Sequence, residues 1–116
     1  MYSKYLKELS PEGLVTVLYN PIYSIADKTH AAELFGRCNA PTEFKIEILK
    51  NLLNHQDNIV KEGALLGLDF VAFELIDKKD IRLINKLKRI FKKIIKESES
   101  QALVATAKDC LYTLNL

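Results

Sequence analysis

The side chains that most often perform acid–base, nucleophilic or metal chemistry are few in this chain and lie far apart. The 116 residues contain two histidines, His30 and His55, and two cysteines, Cys38 and Cys110. Neither histidine lies at metal-ligand spacing from the other or from a cysteine, and the sequence has no phosphate-binding loop, dinucleotide fingerprint or zinc-type cluster. We therefore expect no catalytic residue, no metal site and no cofactor, and we expect that the protein is not an enzyme.

Two arrangements around His30 are the alternatives to that expectation. His30 could act as a general base for Cys38, or it could share a metal ion with Asp27 and a nearby glutamate, either Glu33 or Glu43. A cysteine nucleophile also needs an oxyanion donor and an acid that orients the base. The sequence indicates neither an oxyanion donor nor an orienting acid. The nucleophile and the metal site therefore stay alternatives and are not part of the main expectation.

The most distinctive charge pattern is a basic segment over residues 78–96. It holds nine lysines and arginines and one acid, Asp80, whereas the rest of the chain holds eight basic and 14 acidic residues. Seven of the nine lie on the helix predicted for residues 81–96: Arg82, Lys86, Lys88, Arg89, Lys92, Lys93 and Lys96. Like charges four residues apart destabilise a helix by about 0.2–0.5 kcal/mol per pair, so this face favours a partner that supplies negative charge. The alternative is that the face is merely solvated.

Tyrosines are concentrated in the first part of the chain. Four of the five precede residue 24: Tyr2, Tyr5, Tyr19 and Tyr23. Tyrosine is enriched at protein interfaces because its side chain is large, rigid and half polar. These four side chains are therefore a candidate interface for a protein partner or for a second copy of the chain. The alternative is that they cover the exposed end of the core.

The elements that must position these residues are helices. Apolar residues recur every three or four positions through most of the chain, and no segment alternates in the manner of a strand. Capping residues and turns predict helices over residues 3–9, 11–19, 22–37, 42–54, 58–76, 81–97 and 101–114. Four residues are suited to cap the helices that follow them, because an oxygen of each side chain can accept a hydrogen bond from a first-turn N–H. They are Ser10, Thr42, Asp57 and Asp80.

The helix predicted over residues 58–76 carries two apolar stripes and is expected to be central. One stripe consists of Val60, Ala64, Gly67, Leu68, Val71 and Leu75, and the second consists of Ile59, Leu66, Phe70 and Phe73. A helix that is apolar on two sides packs against neighbours on two sides, so we expect both stripes to be covered. Gly63 and Gly67 would let another backbone approach closely. A narrow polar edge of Lys61, Glu62 and Asp69 is a further surface that a partner could contact.

Two segments match each other at an offset of 43 residues. Val60, Ala64, Gly67 and Leu68 correspond to Leu103, Ala107, Cys110 and Leu111. A period in the forties with two helices per unit is typical of HEAT and armadillo repeats. Residues 42–116 resemble a HEAT-like (armadillo-type) helical repeat protein, because the family's acidic turn residue, valine, basic residue, alanine and leucine are matched in order by Asp57, Val60, Lys61, Ala64 and Leu68. The second unit departs from the pattern at Ser100 and Val104.

The resemblance implies a single helical-repeat domain over residues 1–116. Its fold would be all-α, a small right-handed stack of antiparallel helix pairs with about six helices, and the alternative is an irregular helical bundle. HEAT-like repeats mostly hold other proteins, so the resemblance implies a non-catalytic protein–protein interaction module: an adaptor, an inhibitor or an immunity-type binding protein. The alternative function is sequence-independent binding of nucleic acid through the basic helix over residues 81–96.

The apolar runs and the cysteines set expectations about location. The longest uncharged stretch, residues 13–26, is interrupted by Pro21, whereas a bilayer span needs about 20 mostly apolar residues. The charged start lacks the apolar run of a signal peptide, and two cysteines without a spacing pattern do not indicate a disulfide framework. We therefore expect a cytoplasmic protein with free thiols and no membrane span, and a homo-oligomer is one of the assemblies that this leaves open.

Overall fold

The computed structural model describes residues 4–115, and over this range the chain consists of helices joined by short turns. A 3₁₀ helix, Lys4–Glu8, precedes six α-helices. They are α1 (Pro11–Tyr19), α2 (Ile25–Arg37), α3 (Thr42–Leu52), α4 (Asn58–Lys78), α5 (Ile81–Glu97) and α6 (Gln101–Leu114). No strand occurs in the described range, which confirms the all-α prediction and the number of helices. None of the helices described here is long and apolar enough to cross a bilayer.

Short polar side chains start five of the six α-helices, each by accepting a hydrogen bond from a first-turn N–H. These caps are Ser10, Ser24, Asp57, Asp80 and Ser100. The start predicted for α2 at residue 22 is wrong, because Pro21 lies in the turn and Ser24 caps the helix. The expectation that Thr42 caps α3 is also wrong. Pro41 occupies the N-cap position and makes no side-chain hydrogen bond there.

The six helices form three consecutive pairs arranged in two layers. Within each pair α1 packs on α2, α3 on α4 and α5 on α6. The second helices of the pairs lie side by side in the order α2, α4, α6, so α4 is central as predicted. The shortest dimension of the Cα trace, 18 Å, matches two layers of helices packed about 8–10 Å apart. Membership of a HEAT-like repeat family stays a prediction.

Glycines bring α2 and α4 into backbone contact. A Cβ built at Gly67 would lie 2.5 Å from the carbonyl oxygen of Ala32, and one at Gly63 would lie 2.6 Å from that of Thr29. Gly36 of α2 faces Gly67 so closely that a Cβ at Gly36 would overlap the backbone of Gly67. The predicted close approach at Gly63 and Gly67 is therefore confirmed, and α2 is the helix that approaches.

The two apolar stripes of α4 have different surroundings. The first is buried along its whole length in the core. The second, named here the α4 apolar stripe, consists of Ile59, Leu66, Phe70 and Phe73. Leu66 is half-buried, while Ile59, Phe70 and Phe73 are 60%, 38% and 53% exposed. The expectation that both stripes are covered is therefore wrong within the described residues, because α2 and α6 pack on either side of the second stripe and leave it open between them.

Lys45 is a buried cation that joins α2, α3 and α4. Its side chain is 1% exposed. Its ammonium group donates hydrogen bonds to the carbonyl oxygens of Gly36 (3.1 Å) and Cys38 (2.9 Å) and to Oε1 of Glu74 (3.1 Å). Thr42 donates a hydrogen bond to the other carboxylate oxygen of Glu74. Burial raises the pKa of Glu74, but the hydrogen bonds from Thr42 and Lys45 outweigh burial and hold the pKa below its ordinary value.

Candidate functional site

The predicted basic helix is α5, which packs on α6 and also contacts α3. Leu83, Leu87 and Phe91 are buried on its inner side. Helical spacing places its lysines and arginines on the remaining faces, and five of these seven side chains are exposed. Whether a cation of α5 is neutralised within the chain therefore depends on the acidic residues of the neighbouring helix α3.

Arg82 and Lys86 are neutralised by α3. Arg82 donates a hydrogen bond to Glu43, and Lys86 donates one to Glu47. The two acids are four residues apart, as are the two bases, so both ion pairs join the same two helix faces. The hydrogen bond and charge of Lys86 hold the pKa of Glu47 below its ordinary value. Sequence reasoning missed these pairs because each acid lies 39 residues before its base.

The other five cations form no ion pair with any residue that the structure describes. They are Lys88, Arg89, Lys92, Lys93 and Lys96, named here the α5 basic face. No salt bridge reaches any of them among residues 4–115. Lys88 is half-buried and the other four are exposed. The second half of α5 therefore presents uncompensated positive charge to solvent.

The tyrosines predicted as an interface lie at the first helix pair. Tyr5 and Tyr19 are exposed and Tyr23 is half-buried, whereas Tyr2 lies outside the described residues. A hydrogen bond with Tyr5 raises the pKa of Tyr23 above its ordinary value, so these two side chains are neighbours. The turn between Tyr19 and Tyr23 also exposes Ile22 almost fully. The structure thus brings Tyr5 and Tyr23 together and adds Ile22, which the sequence pattern does not mark as part of an interface.

The α4 apolar stripe is a second surface that could bind a protein. Phe70 and Phe73 project from the central helix, and the side chain of Arg37 on the neighbouring helix α2 reaches the ring of Phe70. The guanidinium carbon of Arg37 lies 4.7 Å from the centroid of the Phe70 ring, a cation–π arrangement. The spacing of its residues predicts this stripe, but spacing does not distinguish a stripe covered by the chain itself from one left open.

The predicted polar edge of α4 faces α6. Thr106 of α6 donates a hydrogen bond to Glu62, and Oδ1 of Asp69 is buried without a hydrogen-bond partner in the described part of the chain. Burial raises the pKa of Asp69, and it outweighs the opposite effect of the nearby Thr113 hydroxyl and Cys110 thiol. Glu62 and Asp69 are therefore part of the contact between two helices of this chain and do not form a free surface.

Two observations count against the alternatives around His30. Burial raises the pKa of the Cys38 thiol, which outweighs the opposite effect of the Lys45 charge. The thiol is therefore protonated at neutral pH, whereas a cysteine nucleophile acts as the thiolate. Among residues 4–115, no group of three or more histidine, cysteine, aspartate and glutamate side chains is placed to hold a metal ion.

A helical fold of this kind can carry many unrelated functions, so the function has to be inferred from the surfaces themselves. Within residues 4–115, the α4 apolar stripe and the α5 basic face are two surfaces that the other helices neither cover nor neutralise. Comparison of the chain with protein-family models, curated proteins and solved structures finds no match in any of the three.

Proposed function

We propose that the protein is a non-catalytic binding module for another protein, as an adaptor, an inhibitor or an immunity-type antagonist, and that the partner contacts the α4 apolar stripe. The observation that carries this proposal is the exposure of Phe70 and Phe73 on the central helix of the molecule. The opposite side of the same helix lies in the core. Exposed aromatic side chains grouped on such an element are typical of a surface that a partner covers.

The α4 apolar stripe is long enough for an extended contact. Ile59 and Phe73 are separated by 14 residues, which corresponds to about 21 Å along a helix. Covering apolar surface contributes about 25 cal/mol per Å², and aromatic side chains near the centre of an interface carry much of its binding energy. Arg37, already placed over Phe70, would add a residue type that is enriched at interfaces.

Exposed carboxylates near the stripe indicate the polar chemistry of the partner. Asp77 follows Phe73 by one turn of α4 and is exposed. Asp109 of α6 is also exposed, and its charge acts on Asp69 of α4. A partner with an apolar centre and basic residues at its rim would complement this surface.

Changing Phe70 and Phe73 together to serine is expected to abolish partner binding and to leave the fold intact. Both side chains are partly exposed, so the change in the free energy of unfolding should stay within about 1 kcal/mol per residue. The dissociation constant should rise about a hundredfold or more, because the stripe would lose its two aromatic anchors. The measurement is capture from native cell extract, followed by titration of the purified captured protein.

The control changes Phe44 and Ile81 to serine, which removes two exposed apolar side chains on other helices. A captured protein that binds the wild type and the control equally, but not the stripe variant, supports the proposal. A dissociation constant that the stripe variant leaves unchanged contradicts it. Analytical ultracentrifugation of the protein alone tests whether a second copy covers the stripe. A dimer that forms with the wild type but not with the Phe70 and Phe73 variant would identify the second copy as the partner.

A second candidate function, sequence-independent binding of nucleic acid, is favoured by the α5 basic face. Five cations that form no ion pair with another described residue lie within nine consecutive residues, a span of about 12 Å along the helix. Phe91, the aromatic residue of α5, is buried, so bases would find no ring to stack on along this helix. Contacts would therefore be made with phosphate groups.

Changing Arg89, Lys92 and Lys96 to glutamine is expected to lower the affinity for nucleic acid and to make that affinity less dependent on salt concentration. Each phosphate group that the variant no longer neutralises should reduce the slope of log affinity against log salt by about 0.9 for a duplex. Fluorescence anisotropy of labelled duplex and single strands at several salt concentrations measures both quantities. The control removes three positive charges elsewhere by changing Lys7, Lys79 and Lys108 to glutamine. An equal loss of affinity in the control would show that α5 is not the binding site for nucleic acid.

A further inference from the structure

A groove opens where four helices end or begin. The C-terminal ends of α3 and α5 and the N-terminal ends of α4 and α6 surround it, and its volume is about 540 Å³. Sites for small molecules commonly have volumes of about 300–1,000 Å³. Its lining combines three kinds of side chain that point to one class of ligand.

The floor of the groove is apolar. Leu53, Ile90, Ile94 and Leu103 line it, one or two from each of α5, α6 and the turn after α3. Ile90 and Leu103 are buried and the other two are half-buried. A floor of branched aliphatic side chains suits a flat, weakly hydrated ring, because such a ring loses little solvation when it lies against them.

Three asparagine amides surround this floor. They belong to Asn51, Asn54 and Asn58, which lie at the end of α3, in the turn, and at the start of α4. All three are exposed. Each amide offers two hydrogen-bond donors and an acceptor, which is the mixture that the edge of a nucleobase requires.

Three lysines from three helices complete the lining. Lys50, Lys61 and Lys93 face the groove, and none of them forms a salt bridge among the described residues. Glu97 and Glu99 also line the groove, so the ammonium groups exceed the carboxylates by one. Lys93 belongs to the α5 basic face as well, and it therefore connects the groove to that face.

We propose that this groove binds a nucleoside phosphate, with the base against the aliphatic floor and the asparagine amides and the phosphate between the lysines. A free nucleotide and one unit of a single-stranded nucleic acid share this chemistry. Binding in the groove is independent of the proposed protein contact, because Lys61 and Ile59 lie on opposite faces of α4. It is also separable from phosphate binding by the α5 basic face, since Lys50 and Lys61 are not part of that face.

The test uses each of the common ribonucleoside triphosphates, the matching nucleosides, inorganic tripolyphosphate and short oligonucleotides. Titrations are followed by ¹⁵N–¹H spectra at about 50 mM salt. At least one triphosphate should shift the amide signals of residues 50–61 and 90–103. It should bind about tenfold more tightly than its nucleoside and than tripolyphosphate, because base and phosphate both contribute.

Variants separate the groove from general electrostatic attraction. Changing Lys50 and Lys61 to glutamine, which leaves the α5 basic face intact, should weaken triphosphate binding about tenfold. A variant with the same net charge, Lys7→Gln with Lys108→Gln, should change it less than about twofold. If the natural ligand is a single strand, an oligonucleotide should bind more tightly than any triphosphate. Changing Arg89 and Lys96 to glutamine should then weaken binding of the oligonucleotide but not of the triphosphate. If it is a free nucleotide, the oligonucleotide gains no affinity.

Three results would overturn the proposal. The first is the absence of shifts in the groove with every triphosphate and oligonucleotide at millimolar concentration. The second is tripolyphosphate binding as tightly as the triphosphates, which would mean that the base makes no contact. The third is equal weakening by the Lys50 and Lys61 variant and by its charge-matched control. Thermal unfolding of each variant shows that a loss of binding is not a loss of fold.

Discussion

A Gly36→Ala substitution is expected to lower the free energy of unfolding by about 3 kcal/mol or more, at the upper end of what an overpacked interior costs. At this position the backbones of α2 and α4 touch, and a methyl group on Gly36 would overlap the backbone of Gly67. Backbone atoms cannot rotate away as the end of a flexible side chain can, so the two helices would have to separate. The gain in helix propensity, about 1 kcal/mol, is too small to offset that separation.

Urea denaturation followed by circular dichroism measures the effect. The matched control is Gly13→Ala in α1, where a new Cβ would lie 3.2 Å from the Cβ of Leu9 and would meet no backbone. Its stability should change by no more than about 1 kcal/mol. Small effects of equal size at Gly36 and Gly13 would show that α2 and α4 do not touch at Gly36.

Replacing Lys45 with methionine is expected to destabilise the protein by about 3 kcal/mol, the range found when one partner of a buried ion pair is removed. The substitution keeps the apolar part of the side chain but removes the ammonium group. Two carbonyl oxygens at the end of α2 would lose their donor, and Glu74 would lose its buried counter-charge. Lys78, which lies 3.4 Å from Glu74 and is largely exposed, can compensate in part.

The same substitution should change how stability depends on pH. The folded-state pKa of Glu74 is lowered, so its contribution is present above the ordinary glutamate pKa of about 4.3. That contribution is lost as the pH falls through the folded-state value. The wild type should therefore lose more stability on acidification than Lys45→Met. Contributions from Glu47 and Asp69 are shared by both proteins and cancel in the difference.

Urea titrations between neutral pH and the acid range measure both parts of this prediction. The control is Lys50→Met, an exposed lysine on the same helix, which should alter the free energy of unfolding by no more than about 0.5 kcal/mol. Parallel pH profiles for the wild type and Lys45→Met would contradict the interaction between Lys45 and Glu74. A loss as small as that of Lys50→Met would show that the ammonium group is not buried.

The helices and their central member follow from the sequence because both depend on local information. Caps such as Asp57 and Asp80 act within their own first turn, and the spacing of small residues at Gly63 and Gly67 already indicates a close approach. The failure at Thr42 has a tertiary cause. Its hydroxyl reaches Glu74, 32 residues away, and this distant partner competes with the local cap.

The sequence does not predict which charged residues of the candidate surfaces are free, because their partners lie far away in the chain. The sequence pattern predicts that Arg82 and Lys86 bind an external ligand together with the rest of the basic helix. Glu43 and Glu47 neutralise them across the α3–α5 contact instead. Lys45 is the opposite case, because no local signal marks one lysine among many as buried. Its position follows from the contacts of α3 with the end of α2 and with α4.

The order of the helices has a consequence for how the chain folds. The side-chain hydrogen bonds that join the second pair to the third connect residues 39 to 45 positions apart. The entropy lost on closing loops of this size grows only with the logarithm of their length, and local contacts are typical of helical proteins that fold quickly. Folding can therefore start at the middle pair, α3 with α4, and proceed outward in either direction. Both α2 and α6 pack against α4, and neither contact requires the other.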